Sequence, residues 1–387
     1  MKTIYDKLRA AQIDELLINA FQKDSDIVYT GIIQYLSSKD FIMITYNDYG
    51  LQDGEVYLKI SSVKRLETDS YDLASMKERI AFDEKHHMAV NPPFDMPIKM
   101  SDSLFDRVLK TLHEDQRVSL IITKNFDELK YNEGLISEIQ ADGIAFQNIN
   151  KYDFSKRPKY VIKFADIRGI EFGGTELQLL QNTLELIKPA NHTDDVVITD
   201  QNQFKTRAMQ LRTDQSWLII DTNDGRKYFY VGKIIANNQS ELVMLVVDMN
   251  GRFGGYVWIR YDDIRRIIVD ADYLRVVEKF VAANQKAKHF ALPVLNAERA
   301  FDNADNMLVN IIMQAINYRN IIRFETDDQE NFVGYPTAFD LQTGVVTVEL
   351  LDVDDDGELQ IKQVGIETVR EMAFDYLKAY LAENEVD

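Results

Sequence analysis

The sequence predicts an α+β fold of four tandem five-stranded β-barrels, each bracketed by α-helices. Three observations lead there: four glycines at near-constant spacing, apolar pairs at a fixed distance behind each, and amphipathic stretches before and after every set of strands. Fixed periods mark repeat architectures and are sought first. The glycines are Gly31 in "YTGII", Gly134 in "NEGLI", Gly232 in "YVGKI" and Gly334 in "FVGYP", separated by 103, 98 and 102 residues. The pairs are Val63 and Leu66, Ile167 and Ile170, Ile264 and Ile267, and Ile366 and Val369. Each first member follows its glycine by 32, 33, 32 and 32 residues.

Ahead of the glycines, "LINAF", "LIITK", "LIIDT" and "IIRFE" read as first strands, short runs of β-favouring apolar residues. In the third copy Asn223-Asp224-Gly225 supplies a tight hairpin turn before "RKYFYVGKII". Later strands follow in each copy, among them "FIMITY", "GIAFQNI", "LVMLVV" and "VVTVEL", then "VYLKI", "YVIKF", "YVWIRY" and "LQIKQ". Behind the strands, apolar residues recur at helical spacing: Leu73, Met76, Ile80; Leu177, Leu180, Leu184; Leu274, Val277, Val281; Phe374, Leu377, Leu381. In front lie "TIYDKLRAAQ", "SLFDRVLKTL", "QFKTRAMQL" and "NMLVNIIMQAI". The four copies are placed at 1–88, 98–190, 198–290 and 295–387, with "AVNPPFDMP" and "KPANHTDD" as linkers.

The repeating unit resembles the Sm family, which includes bacterial Hfq and the Sm and LSm proteins. The first-motif likeness lies in a leading helix, a strand, a turn and a strand carrying Gly with an apolar residue two further on. The second lies in "YVWIRYDDIRRI", where Arg260 precedes Ile264 by four, as Lys59 precedes Val63, Lys163 precedes Ile167 and Lys362 precedes Ile366. The resemblance implies a strongly bent barrel that associates by pairing edge strands; SH3-like barrels share a similar layout. The family's first-motif Asp is matched only by Asp340, the positions being Ser37, Gln140, Asn238 and Asp340. Its Asn is absent at Phe41, Ile144, Leu242 and Gly344, and its Arg-Gly glycine is replaced by Ile60, Phe164, Tyr261 and Gln363. The family's uridine pocket is therefore not carried over.

Composition narrows function. The net charge of −19 opposes nucleic-acid backbones and anionic membranes. No cysteine is present, which removes disulfides, thiolate metal sites and cysteine nucleophiles. With no signal peptide and no apolar run long enough to span a bilayer, a cytoplasmic protein without cofactor is expected. No G-x-S-x-G, phosphate-binding glycine loop or H-E-x-x-H occurs, so catalysis is not expected.

Two segments attract a chemical reading. "DVDDDG" places Asp352, Asp354 and Asp356 at calcium-loop positions, but position twelve is Gln363 and strands flank the loop. Gly357 and Gly54 each lie nine residues before the first apolar pair member, so Asp-Gly reads as a strand-connecting turn in both copies. "FDEKHHMAV" clusters Asp83, Glu84, His86 and His87, yet adjacent histidines point apart on a helix. The leading expectation is a non-enzymatic protein-interaction or assembly module that binds a protein partner or itself through barrel edges. The alternative is single-stranded RNA binding through Lys59, Lys163, Arg226, Lys227, Arg260 and Lys362, the third copy also offering Tyr228, Phe229 and Tyr230 for stacking. Against it, 11 acidic residues and no Lys or Arg lie between Phe324 and Ile361. An acidic imitation of nucleic acid is the third possibility.

Overall fold

A computed structural model describes residues 3–23, 25–88, 103–125, 128–223, 229–302, 306–353 and 359–385. The chain forms two compact units, Met1–His192 and Thr193–Asp387. Unit 1 runs α1 (Ile4–Ile13), β1 (Leu17–Gln22), β2 (Val28–Leu36), β3 (Asp40–Tyr46), β4 (Gln52–Lys59), β5 (Val63–Glu67) and α2 (Tyr71–His86). It then repeats as α3 (Leu104–Glu114), β6 (Ser119–Asn125), β7 (Glu128–Ile139), β8 (Gly143–Asn148), β9 (Lys159–Lys163), β10 (Ile167–Phe172) and α4 (Thr175–Asn182). Unit 2 opens on β11 (Val196–Ile198) and α5 (Gln201–Thr213), then β12 (Leu218–Thr222), β13 (Tyr230–Asn237), β14 (Glu241–Val247), β15 (Phe253–Arg260), β16 (Ile264–Val269) and α6 (Asp272–Ala287). It ends with α7 (Met307–Tyr318), β17 (Ile322–Thr326), β18 (Asn331–Asp340), β19 (Val345–Val353), β20 (Leu359–Gly365), β21 (Val369–Phe374) and α8 (Leu377–Glu385).

The expected closed barrels do not form. Unit 1 is one ten-stranded antiparallel sheet in the order β5-β1-β2-β3-β4-β10-β6-β7-β8-β9. Unit 2 is one eleven-stranded sheet in the order β11-β16-β12-β13-β14-β15-β21-β17-β18-β19-β20. Within a copy the fifth strand pairs beside the first, which leaves the outer edge of the fourth strand unsatisfied. That edge is taken by the next copy's fifth strand, β4 by β10 and β15 by β21. An unpaired row of backbone donors and acceptors is a template for another strand, and here the neighbouring copy fills it. Periodicity locates strands but not which strand closes on which.

The four anchoring glycines have one physical explanation. A Cβ on Gly31, Gly134, Gly232 or Gly334 would lie 1.9, 2.1, 1.9 or 2.2 Å from the carbonyl oxygen of Ile44, Gln147, Leu245 or Glu349 on the adjacent strand. Three residues later each second strand is bulged, the register shifting between Ile33 and Tyr35, Ile136 and Glu138, Ile234 and Ala236, and Pro336 and Ala338. Close approach followed by a bulge bends the strand sharply.

Two finer expectations change. In the fourth copy Val369, not Ile366, takes the place of Val63, because Thr326 pairs with Val369 as Gln22 pairs with Val63. Extra residues in the β18–β19 and β19–β20 connections shift the register by three, so Gly365 rather than Lys362 stands opposite β19 where Lys59 stands opposite β3. Gly54, likewise, is not the turn. The turn is 47–51, with Asn47 Oδ1 accepting from the backbone N–H of Tyr49 and Leu51 and Gly50 at φ 84°. Gly54 sits inside β4 at a bulge, φ 77°, as its counterpart Gly255 does in β15 at φ 100°.

The leading helices bury Leu8 and Ala11, then Val108 and Leu112, then Phe204 and Ala208, then Ile311 and Ala315, each packing on the second strand of its own copy. Leu73 and Met76 of α2 pack on Leu17, while Leu274, Val277 and Val281 of α6 pack on Ile219. The fourth trailing helix starts later than expected, since Phe374 ends β21. Asp83 on α2 is 7% exposed with neither carboxylate oxygen hydrogen-bonded, and burial pushes its pKa up to about 7. A carboxyl whose folded pKa is raised stabilises the fold at low pH and loses that contribution as pH rises through 7. Asp83→Asn should therefore gain stability over the parent above neutral pH, by at most about 4 kcal/mol, and little near about pH 4, in urea titrations at both pH values.

Candidate functional site

The recurring constructed feature is the junction where a fourth strand meets the next copy's fifth. In unit 1, Tyr57 lies opposite Ile170 and is 1% exposed, its ring 5.5 Å from Phe105 of α3. In unit 2, Trp258 lies opposite Met372 and is 0% exposed. The first and third copies thus each insert an aromatic side chain into the next copy's core, a large apolar burial that locks register. The basic residue two positions on ties down the neighbour's backbone. Lys59 Nζ donates to Phe164 O at 2.8 Å and lies 5.4 Å from the Phe105 ring centroid. The Arg260 guanidinium donates to Ile366 O and Glu367 O, both at 2.7 Å. Burial, then the charge of Arg168, holds the Lys59 amine below the usual lysine range.

A buried polar clamp accompanies each junction. Tyr29 on β2 donates to Glu171 on β10, and burial raises the pKa of that carboxylate. Tyr230 on β13 donates to Glu371 on β21, and Arg323 Nη2 donates to both, at 2.7 and 2.5 Å. Burial and then the Glu371 charge keep the Tyr230 hydroxyl protonated. Neither clamp was anticipated. The available signal was the tyrosine two residues before Gly31 and Gly232.

The outer edges are unequal. Unit 1 ends on β5 and β9, and unit 2 on β11 and β20. β9 carries Val161 where Tyr57 and Trp258 stand, and Lys163 where Lys59 and Arg260 stand. Val161 is 57% exposed and Lys163 is exposed as well. β20 offers Gln363 and Gly365 at those two places. On the opposite type of edge, β16 is already paired with β11, whereas β5 has no strand on its outer side among the described residues.

The residues of the RNA alternative are not brought together. Lys59 and Arg260 serve the junctions, Lys362 pairs with Glu330 and lies 4.8 Å from the Phe332 ring, and Arg226 and Lys227 lie outside the described residues. A groove of about 490 Å³ passes Arg260 and Trp258, but Glu241 and Glu367 line it too. Asp352 falls in β19, and Asp354 and Asp356 lie outside the described residues. His86 stacks on Phe82 with ring centroids 4.2 Å apart, and His87 caps α2 at φ 52°. No family model matches this chain, and no curated protein matches it. No helix among the described residues is long and apolar enough to cross a membrane.

Proposed function

We propose that this protein is a non-enzymatic assembly module that joins further copies of itself by strand pairing between β9 of one molecule and β5 of the next. The observation that carries this reading is that the same junction is built twice within the chain, while β9 and β5 of unit 1 offer a matching pair of half-junctions with no strand on their outer sides among the described residues. β9 presents an exposed apolar Val161 followed by Lys163, the order of Tyr57–Lys59 and Trp258–Arg260. β5 presents Leu66 at the place of Ile170 and Met372. Pairing in the internal register sets Val161 opposite Leu66 and brings Lys163 to the carbonyls around Ile60–Ser62. The two surfaces differ, so the contact is head to tail, and association continues beyond a dimer as a ring or filament.

The single-strand RNA alternative is less well supported, because Lys59 and Arg260 are committed to backbone carbonyls and acids flank Arg260. Sedimentation velocity over a range of protein concentrations tests the assembly reading. The parent should show mass rising with concentration. Val161→Lys and Lys163→Glu, both at exposed positions, should sediment as single chains with an unchanged unfolding transition. Equal association of parent and variants would exclude β9 as the contact.

A further inference from the structure

A second feature of unit 1 is a partly open cavity beside the Ile60–Ser62 segment. Where β10 begins beside β4 and β6, a cavity of about 310 Å³ opens, close to the lower end of small-ligand pockets, roughly 300–1,000 Å³. Three cations, Lys23, Lys124 and Arg168, line it together with Tyr29 and Tyr131, and no carboxylate belongs to its described lining. Lys23 Nζ donates to Ser61 O at 2.8 Å and Arg168 Nη1 to Ala165 O at 2.7 Å. Those bonds hold the two side chains in place while leaving most of their donors available.

The equivalent place in unit 2 is the control. It is bounded by Thr222, Ile259, Asp263, Glu325, Arg370 and Glu371, and holds only about 10 Å³. The register explains the difference. Gly169 lies opposite Ile122, while Glu371 occupies the Gly169 position and lies opposite Glu325. Arg370, in the place of Arg168, is engaged by Asp327 at 2.8 Å and Asp263 at 3.5 Å. One copy of the junction is filled and acidic. The other is open and cationic because a glycine and an isoleucine stand where the first has glutamates.

We infer that the unit 1 cavity binds a small phosphomonoester bearing a flat ring, of mononucleotide size. The phosphate would take charge-assisted hydrogen bonds from Lys23, Lys124 and Arg168, and the ring would lie against Tyr29 and Tyr131. The cavity is too small for a nucleic-acid strand to thread, so the ligand is a free monomer.

Isothermal titration with AMP, UMP, ribose 5-phosphate and inorganic phosphate tests this on the full chain. A mononucleotide should saturate one site per chain, more tightly than inorganic phosphate. Lys124→Gln with Arg168→Gln should weaken it by about tenfold or more, since each tenfold is about 1.4 kcal/mol. Gly169→Glu, which copies the unit 2 residue, should abolish binding; its Cβ would meet Leu58 Cδ2 at 3.0 Å, so the Lys124 and Arg168 variants carry the test if it fails to fold. Absence of saturable binding by any probe, two sites per chain, or unchanged affinity in the folded charge variants would overturn the assignment. Equal affinity for inorganic phosphate and the mononucleotides would overturn its ring component.

Discussion

Arg323→Met should destabilise unit 2 by about 3–5 kcal/mol, the range found when one partner of a buried ion pair is removed. Arg323 is the cation facing Glu371, which is 3% exposed, and Glu325, also 3% exposed, stands directly opposite Glu371 on β17. Without the guanidinium, two nearby carboxylates and the Tyr230 hydroxyl share a buried space. Burial, which disfavours the guanidinium charge, is outweighed by the surrounding negative groups, so the folded arginine holds its proton more firmly than usual. The double variant Arg323→Met with Glu371→Met should recover much of the loss, because the carboxylate that Arg323 pairs with is removed together with it and only Glu325 remains of the two. Urea unfolding of the four proteins of this cycle measures the effect. A loss below about 1 kcal/mol in the single variant would show that the clamp is solvated, as surface pairs are.

Gly232→Ala should be comparably severe although it adds one methyl group. Its Cβ would stand 1.9 Å from Leu245 O and 2.9 Å from Leu245 C, both backbone atoms of β14. No rotamer change relieves a clash with backbone, so β13 and β14 must separate where Gly232 pairs with Val246. Overpacking in a core costs about 1–3 kcal/mol where side chains can yield, and a larger loss, about 4 kcal/mol, is expected here. Thermal unfolding compared with Ala236→Gly on the same strand separates the clash from a general effect on strand propensity. A Gly232→Ala protein as stable as its parent would contradict the close approach shared by all four copies.

Much of the architecture was legible because its causes are local. Gly31, Gly134, Gly232 and Gly334 announce a repeat since each must admit a carbonyl oxygen where a Cβ would sit. The leading helices show through the spacing of residues such as Leu104, Val108 and Leu112, which all face one core. Closure was not legible. β4 and β10 lie more than a hundred residues apart, and nothing in either strand states that one completes the edge of the other rather than closing a barrel. The fourth copy misled for a different reason, since its longer connections moved Lys362 and Ile366 out of register with Lys59 and Val63.

The junction residues were partly visible. Lys59 and Arg260 stood out as a basic position, but their targets, the carbonyls of Phe164, Ile366 and Glu367, are backbone atoms that no side-chain motif reports. Tyr29 and Glu171 are 142 positions apart and meet only because two copies share a sheet. The cavity depends on Gly169 and Ile122 being small or apolar where unit 2 has Glu371 and Glu325, a contrast that emerges only once strand register is known.

The absence of native cysteine allows a direct measurement of the assembly contact. Directly opposed residues on antiparallel strands place their Cβ atoms about 4.5–5.5 Å apart, close enough for a disulfide after a small adjustment. One preparation would carry Val161→Cys and the other Leu66→Cys, mixed under mild oxidation. The proposed pairing of β9 with β5 should give a cross-linked heterodimer in high yield from the mixture, and little cross-linking from either preparation alone. A mixture that cross-links no better than the separate preparations would contradict the claim that unit 1 completes its open junction with a second copy of the chain.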